Sequence, residues 1–199
     1  MSITSFKNKT ISSKLLINNS AYNPGSYASI ATVTVGSGGQ ASASFTSIPS
    51  EYKHLQIRIL GRSNRADSND QIGIQFNSDT GNNYGSHGLW GDGGGSATAA
   101  LLNYPAGAIT LPWIAADSNG SNVFGSSVID ILDVQNANKY TTVRGLSGYD
   151  NNGSGLIAIG SGLWSNTAAV TSVTVKPFYG SLWKQYSVIA LYGIKDSAE

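Results

Sequence analysis

The stretch from Phe45 to Leu60, FTSIPSEYKHLQIRIL, places the tightest constraint on the fold. Leu55, Ile57 and Ile59 alternate with Gln56 and Arg58, the period-two pattern of a strand with one apolar face, and Lys53 and Arg58 flank it. A slip of one residue would drive Gln56 and Arg58 into the core, so this strand can set the register of its neighbours. A Ser-Ile-Pro-Ser turn precedes it, where Pro49 fixes its own φ and lacks a backbone donor. The run Tyr186 to Lys195, YSVIALYGIK, is its natural partner. It is short and apolar at nearly every position, as suits a strand buried on both faces.

The same period recurs from Tyr27 onward. ASIATVTV and ASASFTS flank Gly36-Ser37-Gly38-Gly39, whose turn chemistry predicts a hairpin. Further strands are expected at QIGIQF, Ile109 to Ile114, Asn122 to Val134, Tyr140 to Leu146, Leu156 to Leu163 and Thr171 to Lys176. Turn clusters such as Ser118-Asn119-Gly120 and YDNNGSG separate them, and a Gly/Asn/Ser tract from Asn77 to Ser96 reads as a long loop. No segment carries a helical stripe beside caps. The pattern predicts an all-β chain, an antiparallel two-sheet sandwich of jelly-roll type with an extended N-terminal arm.

A chain of 199 residues with 40% hydrophobic content can bury a sufficient core as one all-β domain, and cysteine is absent, so neither disulfides nor thiolate metal sites contribute. Charged residues make up 12%, against about 25% in ordinary soluble domains. Gly, Ser, Asn and Thr take their place, a profile that suits a rigid extracellular or virion-type protein. The net charge of +1 advertises no nucleic-acid partner, and no window approaches the length of a membrane span. Lys7, Lys9 and Lys14 interrupt the N-terminal apolar groups, so no secretory signal is expected.

Residues 1–26 differ from the sandwich expected over 27–199. They hold three lysines and no acid, and Asn23-Pro24-Gly25 closes them with a turn. One reading is a loose terminus; the other is an arm that orders on a partner, using Phe6, Lys7, Lys9, Ile11, Lys14, Leu15, Leu16 and Ile17 as its docking residues.

Catalytic parts are sparse. There is no Cys and no G-x-S-x-G elbow, and His54 and His87 are the only imidazoles. His54 lies in the organising strand and reads as structural, while His87 and Ser86, adjacent in sequence, do not face each other as base and nucleophile. Asp130 and Asp133 in one strand would project to opposite faces, a poor glycosidase geometry. Asn77, Asp79, Asn82, Asn83 and the Asp150 turn offer oxygens, but turn bonding accounts for them without calcium. No enzyme activity and no cofactor are expected. Trp113, Trp164 and Trp183 read as packing residues at sandwich edges or subunit contacts. Tyr84, His87, Trp90 and Asp92 form the candidate glycan contact, since an indole face stacks on a sugar ring and a carboxylate reads its hydroxyls.

SIPSEYKHLQIRILGRSNRAD, GIQFNSDTGNNY, VIDILD, NKYTTVRGLSGYDNNGSG, SGLW and ALYGIK, in this order over about residues 27 to 195, resemble a family of tailed-bacteriophage virion proteins. The resemblance implies a β-sandwich on the outer surface of the particle, a homotrimer, and a capsid decoration (cement) or short head- or tail-fibre role. The implied partners are the major capsid protein or a fibre-attachment protein. The alternative is a lectin-like module that recognises host surface polysaccharide; a depolymerase ranks third.

Overall fold

The computed structural model describes residues 27–196 and, before them, the paired backbone of β1 (Leu16–Ile17) and β2 (Ser20–Ala21), with Leu16 opposite Ala21. Of the expected docking residues, Leu16 and Ile17 form β1, and Phe6, Lys7, Lys9, Ile11, Lys14 and Leu15 lie outside the described residues.

Two antiparallel sheets make a β-sandwich. The larger runs, edge to edge, β3 (Tyr27–Thr34), β14 (Val188–Ile194), β5 (His54–Gly61), β10 (Gly125–Leu132), β11 (Thr141–Asp150), β12 (Gly155–Trp164), β7 (Tyr84–Gly91) and β8 (Thr98–Ala106). The smaller runs β4 (Ala43–Phe45), β13 (Val173–Pro177), β6 (Asn69–Phe76) and β9 (Ile109–Ala115). The sheets do not close into a barrel, and this strand order does not by itself establish a jelly roll.

The organising strand behaves as its alternation requires. Leu55, Ile57 and Ile59 of β5 are buried, Arg58 and Leu60 are exposed, and β14 pairs along its whole length with Leu191 opposite Ile57. Ile129 and Ile131 of β10 and Ile189 and Leu191 of β14 join these residues in one core with Ile72, Ile74 and Phe76 of β6 and Val173 and Val175 of β13. Residue parity therefore assigns each side chain to the core or to the outside. His54 is structural: its Nδ1 accepts the Asp133 N–H at 2.8 Å.

Three expectations change. Gly36–Gly39 does not close a hairpin: β3 pairs with β14 in the large sheet, β4 with β13 in the small one, and the turn carries the chain between layers. Turn chemistry dictates a reversal but not the partner. The supposed loop Asn77 to Ser96 contains β7, paired on both sides, and β8 follows it. Its inward glycine leaves room for neighbours: a Cβ on Gly88 would meet Leu102 of β8 at 2.9 Å, and one on Gly162 of the adjoining β12 would collide with Ile109 of β9. Asp133 leaves the strand; it follows β10 at φ 57°, bonded to Asn136 and Lys139.

Trp164 and Trp183 occupy the core, not the edges, at 1% and 0% exposure. The Trp164 ring packs on Phe76 and Tyr84, and its Nε1–H donates to Asp79 Oδ2 at 2.8 Å. That bond, followed by those from Asn83 and the Gly81 N–H, holds the Asp79 carboxyl below its ordinary value of 3.8. Asp117 is lowered chiefly by Lys184, and Asp133 chiefly by Lys139. A carboxyl whose folded pKa is depressed lends stability above its unfolded pKa and loses it as pH falls through the folded one. Thermal melts should therefore shift downward as pH drops below about 4, and Asp79→Asn should show a shallower acid limb than the parent. An unchanged acid limb in that variant would remove Asp79 from the linkage.

Candidate functional site

The inner face of the large sheet is covered by the smaller sheet; no element among the described residues covers its outer face. Strand register sorts that face into rows. In one row Val128, Leu146, Ile159, Leu89 and Ala99 stand side by side across β10, β11, β12, β7 and β8. Two residues along each strand, roughly 7 Å away, a second row reads Gln56, Asp130, Arg144, Ser161, His87 and Leu101. From β10 to β8 both rows line an open groove of about 990 Å³.

The apolar row is exposed, with Leu146 at 52% and Ile159 at 51%. Leu60, Leu101, Leu132, Ile157 and Leu163, by the same parity, extend the apolar character beyond it. Antiparallel sheets commonly leave one face to water and make it polar. This one carries a broad apolar band on its outward face as well.

The polar row is largely satisfied within the chain. Gln56 Nε2 donates to Asp130 Oδ1 at 2.9 Å, and Arg144 Nε to Asp130 Oδ2 at 3.1 Å. Gln56 Oε1 accepts from Tyr27 Oη at 2.8 Å and from Arg58 Nε at 3.1 Å. Tyr27 and Tyr192 stack at 5.0 Å, and the Arg58 guanidinium lies 5.6 and 5.3 Å from their ring centres. Burial pushes the Tyr27 hydroxyl upward, with Arg58 opposing. Asp130 is thus the centre of a surface network. Between the two rows Gly145, Gly160 and Gly88 fall in register; at Gly145 an added Cβ would come within 3.5 Å of Leu111 of β9.

His87 and Ser161 are cross-strand neighbours, but no hydrogen bond joins them. Arg144 flanks Ser161 on its other side and Leu101 flanks His87, so no carboxylate backs the imidazole as a catalytic triad requires. Ser86 faces inward, where its Oγ accepts the Thr110 N–H at 2.8 Å. Adjacency in a strand thus sends His87 and Ser86 to opposite sides.

The four expected glycan residues do not assemble. Tyr84 is wholly buried, its hydroxyl accepting the Phe76 N–H at 3.1 Å and donating to the Asp79 carbonyl at 3.0 Å, with burial raising its pKa to about 12. It is core and leaves the set. Trp90 is half-buried against Trp113, ring centres 4.4 Å apart, on the side of the sheet opposite His87. Asp92 lies beyond β7 and accepts the Gly94 N–H at 2.8 Å in a local turn. The calcium-type oxygens are likewise spent on the chain: Asn77 Oδ1 accepts from the backbone of Thr171 and Ser172, and Asp150 Oδ1 from Asn152.

Sequence reading missed the apolar outer face, yet a signal existed. VID in β10 and LIAI in β12 carry apolar residues at both parities, the mark of a strand meant to be covered twice. Comparison with protein-family models finds no match for this chain, and comparison with curated proteins finds none either.

Proposed function

We propose that this chain is a non-enzymatic structural protein of a bacteriophage virion, a capsid decoration (cement) protein or short head or tail fibre on the outer surface of the particle. In this reading it assembles as a homotrimer and docks through residues 1–26 onto the major capsid protein or a fibre-attachment protein. The observation that carries it is the broad apolar outer face, whose charged residues Asp130 and Arg144 pair with one another, as suits an assembly component better than a reaction centre. The ordered motifs resembling tailed-phage virion proteins support the same reading. The polysaccharide-binding alternative loses Tyr84 to the core and Trp90 to its contact with Trp113.

The test is reconstitution. Full-length protein should bind particles that lack it, and a chain without residues 2–26 should keep its fold and oligomeric state but fail to bind. The lysines at 7, 9 and 14 should make binding salt-sensitive if the docking surface is acidic. Normal occupancy by the truncated chain would show that the sandwich, not the arm, makes the contact.

A further inference from the structure

We infer that the outer face of the large sheet, centred on Val128, Leu146, Ile159 and Leu89, is where one copy of this chain packs against another. The inference deepens the assembly reading above and rests on it for its purpose, though the contact itself is argued from the face alone.

Area comes first. Nine aliphatic residues on this face, from Leu60 on β5 to Leu101 on β8, are 37% to 65% exposed. At roughly 180 Å² per fully exposed residue they present about 770 Å². That exceeds the ~300–600 Å² of the largest apolar patch on an ordinary monomer and approaches the ~800 Å² each partner contributes to a standard interface.

Charge narrows the partner. Asp130 and Arg144 on the face neutralise one another, and Arg58 is held by Gln56 and the two tyrosine rings. A nucleic acid or an anionic membrane needs a cluster of unpaired cations, and the face has none among the described residues. A sugar-binding face needs an exposed aromatic platform, whereas the row centred on Leu146 is aliphatic. A surface with a single guanidinium, Arg58, beyond its internal ion pair, and with Gln56, Asp130 and Arg144 already bonded to one another, repels its own image little and fits a second copy of itself.

Sedimentation at micromolar concentration tests this on the full chain, with Leu146→Asp and Ile159→Asp as interface variants and Ser44→Asp, exposed on the opposite sheet, as control. A carboxylate forced into the contact without a partner should weaken association at least about 100-fold, with circular dichroism and melting confirming that each variant is folded. Because the contact is mainly apolar and its one ion pair is internal to each copy, the wild-type dissociation constant should move less than about threefold between low and high salt. The absence of cysteine allows a second readout that does not depend on the aspartates: Ile159→Cys carrying an environment-sensitive dye should show a dry, blue-shifted signal in the assembled state.

A monomeric wild type would overturn the inference. So would aspartate variants that assemble like the wild type, or a dye that stays wet in the oligomer. Dye exposure on removing residues 2–26 from a monomer would instead assign the face to the chain's own arm. Self-association that responds as expected, with no binding to particles, would refute the virion reading and leave this contact standing.

Discussion

Replacing Asp70 with alanine should lower the unfolding free energy by about 3–5 kcal/mol. Asp70, the second residue of β6, is fully buried. Its Oδ1 accepts the N–H of Gln71 at 2.7 Å and of Tyr179 at 3.0 Å, and its Oδ2 accepts that of Gly180 at 2.9 Å. Through these bonds one carboxylate ties the start of β6 to the loop between β13 and β14, about 110 residues away along the chain. Alanine would leave three backbone donors without partners in a dry site, and each such group costs its full desolvation penalty. Asp70→Asn keeps one acceptor oxygen and should lose distinctly less. Urea unfolding of the two variants beside the wild type measures both. A loss under about 1 kcal/mol for the alanine variant would mean that water or loop movement satisfies those donors.

Arg62→Met should cost a similar amount, about 3–5 kcal/mol, by breaking a buried charged hub. The Arg62 guanidinium has 4% of its side chain exposed. It donates to the carbonyls of Gly120, Asp117 (3.1 Å) and Asn119 (3.0 Å) and to Asp117 Oδ1 at 3.2 Å. Its fork geometry holds the whole 117–120 turn, and of its three nitrogens Nε alone has no acceptor. Methionine matches the stem but abandons three carbonyls. Arg62→Lys keeps the charge but, as a point donor, reaches fewer of them, so it should restore only a minor part of the stability. Thermal unfolding of the pair decides this: equal melting temperatures for Arg62→Met and wild type would show that the turn holds itself together.

Both residues stand apart from the outer face, which matters for how variants are read. Losses at Asp70 or Arg62 act through the fold. Changes at Leu146 or Ile159, about half-exposed in the chain alone, should act on association with little effect on unfolding of the subunit.

How much was legible in the sequence depends on how local the governing physics is. The alternation of Leu55, Ile57 and Ile59, the match between β5 and the run that becomes β14, and the all-β class follow from residue parity and turn chemistry, which each short segment carries for itself. The inertness of His54 and the opposed faces of Ser86 and His87 follow from the same rule. Pairing choices are not local. Gly36–Gly39 signals a reversal, but competition from β14 and β13 for the two flanking strands turns it into a crossing between sheets. YGSHGLWG has little strand propensity of its own, and becomes β7 because it pairs with β12 and β8 on either side while inward Ser86 bonds Thr110 of β9. Tyr84 looked available for a ligand and is sealed in the core, while Trp90 is drawn onto Trp113. The outer face is the clearest case. Each of β10, β11, β12, β7 and β8 contributes one to three apolar residues at the outward parity, an unremarkable number in any single strand, and only their alignment in one register makes a continuous surface. Sequence determined which side of its strand each residue takes; tertiary structure decided which strands are neighbours, because hydrogen-bond register and sheet packing are settled between segments far apart in the chain.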